Sequence, residues 1–102
     1  MSIDVTVETE DGQVLAELPD PDNSVIELLP DFSDTTTSCL RFIDPYGDTV
    51  FNQGQLPVFI AELNGVLKKT SNGAVTAHGQ KLLALAEKFK GKVHTYLKFY
   101  GD

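Results

Sequence analysis

The spacing of apolar residues changes period twice along this chain, and that change constrains the fold more than any motif does. Ile3, Val5 and Val7 alternate with Asp4, Thr6 and Glu8, the period of two that a half-buried strand requires. Leu56, Phe59, Ile60, Leu63 and Leu67 recur instead at steps of three and four. That is the stripe of an amphipathic helix, with Pro57 in a first turn where no internal donor is lost. Leu82, Leu85, Ala86 and Phe89 repeat the stripe in a second helix, expected from a Thr76 cap to Lys90 with Gly91 as its stop. Lys88, Lys90 and Lys92 suit the negative end of its dipole. The period then returns to two, with Val93, Thr95, Leu97 and Phe99 on one face and His94, Tyr96, Lys98 and Tyr100 on the other.

Turn chemistry divides what lies before the helices. Glu10-Asp11-Gly12-Gln13 offers a hairpin turn into a second strand from Val14 to Leu18. Two prolines, Pro19 and Pro21, mark a loop, and Ser24 is placed to cap a short helical turn that Pro30 stops. The polar run Asp31 to Thr37 reads as a flexible loop. Ser38 to Ile43 reads as a strand, and Thr49 to Phe51 as the start of another. Between them Asp44-Pro45-Tyr46-Gly47-Asp48 has the makings of a hairpin loop: an aspartate to accept from the backbone, a proline to fix φ, and Gly47 for a left-handed position. The predicted order is β-β-(short helical turn)-β-β-α-α-β. It specifies a single α+β domain over residues 1–102, a mostly antiparallel sheet of about five strands with two helices packed on one face.

Charge is distributed unevenly. Residues 1–53 hold twelve acids against one base, Arg41, a net of −11. Residues 54–102 hold seven lysines against Glu62, Glu87 and Asp102, a net of +4, giving −7 for the whole. A surface this acidic repels phosphate backbones and attracts cationic partners, so nucleic acid is not an expected partner. The apolar runs are far shorter than the roughly 20 residues of a membrane helix, and Met1-Ser2-Ile3-Asp4 lacks the basic start of a secretory signal. A cytoplasmic protein with no membrane partner is expected.

Catalytic and metal chemistry find little material. Cys39, the one cysteine, lies beside Leu40 where a thiol usually packs as a small apolar group. His78 and His94 are too far apart in sequence for a helical ligand pair, and no phosphate-loop motif occurs. A calcium site needs roughly six to eight oxygens, whereas Asp44 and Asp48 bring two carboxylates on a loop that Pro45 stiffens. No cofactor, no metal and no enzymatic activity are expected.

The segments CLRFIDPYGDTVFN, Cys39 to Asn52, and YLKFYGD, Tyr96 to Asp102, resemble blocks of small bacterial proteins that have no assigned activity. The resemblance implies a bacterial origin and a compact fold, and it brings no catalytic residue with it.

The functional expectation is a small acidic protein-binding module, most concretely an immunity-type inhibitor of a basic toxin or nuclease. Its candidate interface has two parts. One is a tyrosine and cation strip of His94, Tyr96, Lys98 and Tyr100, joined by Arg41 if the strands are neighbours. The other is the acidic set Asp20, Asp22, Asp31 and Asp34, suited to a cationic protein. Two alternatives stay open: a small-molecule or enzymatic pocket built from Cys39, His94, Tyr96 and Arg41, and a homodimer that covers the tyrosine strip across a twofold axis.

Overall fold

The structure is a computed structural model that describes residues 2–102. Chain order is β1 (Ile3–Thr9), β2 (Val14–Leu18), α1 (Ser24–Leu28), a 3-10 turn (Leu40–Phe42), β3 (Asp48–Phe51), a second 3-10 turn (Gln53–Gln55), α2 (Leu56–Lys69), α3 (Gly73–Phe89) and β4 (Thr95–Gly101). Four strands form one sheet in the order β2-β1-β4-β3, with every pairing antiparallel. The class is the expected α+β, with four strands instead of five.

Alternation in β1 and β4 sends Ile3, Val5, Val7, Leu97 and Phe99 to one face, where they are buried with Phe51 of β3. The helices meet that face with Val25, Leu28, Phe59, Leu63, Leu82 and Ala86, and one apolar cluster joins all the elements. Phe51, Phe59 and Phe99 sit at its centre with ring centroids 5.7 Å apart in each pair. Burial of this size is the main driving force for the fold, at roughly 25 cal/mol per Å² of apolar surface. The opposite face of the sheet carries no helix among the described residues.

The first hairpin closes as expected. Gly12 takes φ +86°, and Thr9 and Gln13 close the loop with a 2.9 Å backbone bond. α2 begins at Leu56 with Pro57 in its first turn.

Four local expectations are corrected. The segment 38–43 is no strand but a turn, because Glu62 of α2 gathers its backbone donors: the N–H groups of Ser38, Cys39 and Leu40 donate to the Glu62 carboxylate at 2.7, 3.0 and 3.0 Å. A strand would have needed those donors for a ladder. Gly47 does not take a positive φ; the bend is closed by Asp44, whose Oδ1 accepts from Tyr46 N at 2.9 Å, while Gly101 N donates to Gly47 O at 2.9 Å. Ser24 is the first residue of α1, and its N–H is capped by Asp20 Oδ1 at 2.7 Å. α3 starts at Gly73, capped by Asn72, whose Oδ1 accepts from Ala74 N and Val75 N. Thr76 lies inside the helix.

Candidate protein interface

The uncovered face of the sheet is where most of the expected strip is found. Register sets Asp4 opposite Tyr100, Thr6 opposite Lys98 and Glu8 opposite Tyr96 across β1 and β4. On the other side of β4, Asp48 pairs with Tyr100 and Val50 with Lys98. On the other side of β1, Glu17 pairs with Thr6. Period two puts all of these side chains on the same surface.

Glu8 organises the centre of that surface. Its Oε2 accepts from the Tyr100 hydroxyl at 2.5 Å and from Thr6 Oγ1 at 2.6 Å, and its Oε1 lies 3.1 Å from Lys98 Nζ. The hydrogen bonds from Thr6 and Tyr100 hold the Glu8 carboxyl below the usual glutamate range, against the opposing effect of burial and with help from Lys98. The same contact pushes Tyr100 and Lys98 upward, because Glu8 favours the protonated form of each. The cluster is therefore internally paired.

Its charge is opposite in sign to the expectation. Among the described residues Lys98 is the one cation on the face, and it pairs with Glu8, while Asp4, Glu17 and Asp48 are exposed. The strip is an acidic surface with two half-buried tyrosines rather than a cationic one. At its rim His94, with φ 61°, precedes β4 and pairs its Nδ1 with Glu10 at 3.4 Å. Val93 is 63% exposed and stands outside the strand, not on its inner face.

The other candidate residues disperse. Arg41 sits in the 3-10 turn, beside Phe42 and away from the sheet. Asp20 is buried at 1% exposure and offers no surface to a partner. Its Oδ2 accepts from Ile3 N at 3.0 Å and Val25 N at 3.4 Å, so it fastens β1 to α1. Asp22 is exposed in a groove it shares with His78 and Lys81. Asp31 and Asp34 bend their own loop, accepting from Ser33 N at 3.1 Å and Thr36 N at 2.9 Å. The four acids form no single patch.

Of Cys39, His94, Tyr96 and Arg41, only His94 and Tyr96 come together, in a shallow groove with Asn52 and Gln53, while Arg41 lines a different cleft. Cys39 is buried, and its thiol is pushed up to about 11 by burial and by the Glu62 charge, which leaves it a poor nucleophile near neutral pH. Asp44 and Asp48 join no third ligand, and no group of three or more metal-ligating side chains occurs among the described residues. No helix among them is long and apolar enough to cross a membrane.

The residues that sequence reasoning missed on this face are Asp4, Glu8, Glu17 and Asp48. The alternation at the N-terminus already put Asp4, Thr6 and Glu8 on one side. What was missing was the neighbourhood of β1 and β4, separated by most of the chain. Comparison with known proteins gives no family model, no curated protein and no solved structure that matches the chain.

Proposed function

We propose that the protein is a non-catalytic binding module whose open sheet face docks a cationic protein, in the manner of an acidic inhibitor that masks a basic surface. The observation that supports this reading is the charge of that face among the described residues: Glu8, Asp4, Glu17 and Asp48 against Lys98, which is already paired. Tyr96 and Tyr100 add apolar area with a polar tip, which suits an interface core. A flat face held by a hydrogen-bonded centre loses little entropy on association. The same charge disfavours a second copy on this face, since like carboxylates would meet across the twofold axis. An immunity-type role against a toxin or nuclease is the most specific form of the proposal.

Glu10, Glu17 and Asp48 are exposed and accept no backbone hydrogen bond among the described residues, so they can be neutralised with little effect on the fold. The test is affinity capture from the source cells with wild-type and E10Q/E17Q/D48N baits. It is run at about 0.01 M and about 1 M salt, where the screening length falls from roughly 30 to roughly 3 Å. The expected result is a basic protein held by the wild type at low salt and lost with the variant or at high salt. A captured set that is the same for both baits, or indifferent to salt, overturns the reading.

A further inference from the structure

A second surface, separate from the sheet, has the chemistry of a small-ligand site. A cleft of about 450 Å³ opens between the end of α1 and the turns that follow it, lined by Ile26, Leu29, Phe32, Arg41, Phe42 and Asp44 among others. That volume lies within the range of roughly 300–1,000 Å³ typical of small-molecule pockets. Most of the lining is apolar. Phe32 is 69% exposed and Phe42 45%, their ring centroids 5.8 Å apart and edge to face. Exposed aromatic surface of this kind is unfavourable in water and marks a place where something apolar docks.

Arg41 gives the cleft its polarity. It is the only base in residues 1–53 and makes no ion pair among the described residues. Its guanidinium carbon lies 4.5 Å over the Phe42 ring, and Nη1 makes one long bond, 3.5 Å, to Phe32 O. Nε is buried and has no acceptor. A buried donor left unmet is costly, the more so when it carries charge.

Two acids stand close without a hydrogen bond or ion pair to it: Asp34, whose carboxylate feels the Arg41 charge and whose Oδ1 accepts from Thr36 N and Oγ1, and Asp44, which lines the cleft and whose Oδ1 accepts from Tyr46 N. The turn itself is fixed from behind, because Glu62 holds the backbone of residues 38–40. Arg41 is thus a guanidinium with no ion pair among the described residues, stacked on an aromatic ring and carried by a turn that Glu62 holds, an arrangement that receives a carboxylate at its outer nitrogens.

We propose that this cleft binds a small free monocarboxylate with an aromatic or similarly apolar body. The carboxylate meets the guanidinium of Arg41, and the apolar body lies against Phe32 and Phe42. The surplus of acid in this half of the chain, Asp44 in the lining included, opposes every anion and opposes a dianion or polyanion more strongly, so a single negative charge is part of the specificity.

The experiment is a titration of the full-length ¹⁵N-labelled protein with 2-naphthoate, with 2-naphthamide and acetate as comparisons, read by amide and Arg41 Nε–H shifts. The expected result is saturable shifts at Arg41, Phe42 and Ile43 for naphthoate, and binding of the amide at least about tenfold weaker. Acetate alone does not saturate. R41Q removes the preference for the acid over the amide, R41K keeps part of it, and F32S weakens both ligands while leaving the preference. The E10Q/E17Q/D48N protein binds naphthoate as the wild type does, so this site and the sheet face are judged separately. Equal binding of acid and amide, shifts that map elsewhere, or a preference that survives R41Q overturns the proposal. If R41Q does not fold, R41K and F32S decide between the same outcomes.

Discussion

A carboxylate taken out of water needs donors to replace the water it loses, and two acids here have them. Asp20 collects the N–H groups of Ile3, Ser24 and Val25 while His78 Nε2 stands 3.7 Å from its Oδ1. Asp20→Asn would turn an amide hydrogen toward at least one of those donors, so the variant is expected to lose about 2–3 kcal/mol. The loss is measured as a lower urea midpoint at unchanged slope. Glu62 is the second case. Burial pushes its carboxyl up, but the N–H groups of Leu40, Ser38 and Cys39 and the Ser38 hydroxyl outweigh burial and leave it below the ordinary 4.5. Since the folded value is the lower one, this contribution is complete above pH 4.5 and drains away as pH falls through the folded pKa. Glu62→Gln is expected to unfold more easily at neutral pH and to show a shallower loss of stability in acid. An acid limb as steep as that of the wild type would show that the carboxylate does not hold the turn.

Among the elements, helix starts give the sharpest test of which side chain does the capping. Asn72→Ala removes the acceptor for Ala74 N and Val75 N and is expected to cost about 1 kcal/mol. Thr76→Ala, at the position that sequence alone favours, is expected to cost much less, and chemical denaturation of the two variants separates the cases. The contrast explains what was legible beforehand. β1, β2, α2 and the hairpin at Gly12 follow from periodicity and turn chemistry because their causes are local. The segment 38–43 misled, since Cys39 and Leu40 are adjacent and both buried, a pattern compatible with a two-sided strand. Its true shape depends on Glu62, more than twenty residues away, and no local signal reports that. Asp20 misled in the same way, as an acid in a proline loop that tertiary structure draws inside. The sign of the open face depended on β1 lying against β4, which no local pattern reports.

For the molecule as a whole, charge separates by side. Lys68, Lys69, Lys81, Lys88, Lys90 and Lys92 are exposed on or just beyond α2 and α3, whereas the uncovered sheet face is acidic. Glu17 faces solvent beside Asp4 with no hydrogen-bond partner among the described residues, so it adds repulsion to the fold, whereas Asp48 lies near enough to Lys98 to favour its charge. E17Q is therefore expected to raise stability by a few tenths of a kcal/mol, about 0.5 at most, seen as a higher melting temperature in dilute buffer that high salt abolishes. A lower melting temperature would mean this acid supports the fold, and would weaken the case that it is kept for a partner.

The position of β4 between β1 and β3 matters during synthesis on the ribosome. Until β4 has emerged, the hairpin of β1 and β2 has one unpaired central edge, and β3 has no neighbour to bond. Two adhesive borders are thus exposed while both long helices are being made. Assembly must finish in one late step that inserts β4 between them, so a nascent chain stalled before Thr95 would be the form most prone to stick to its copies.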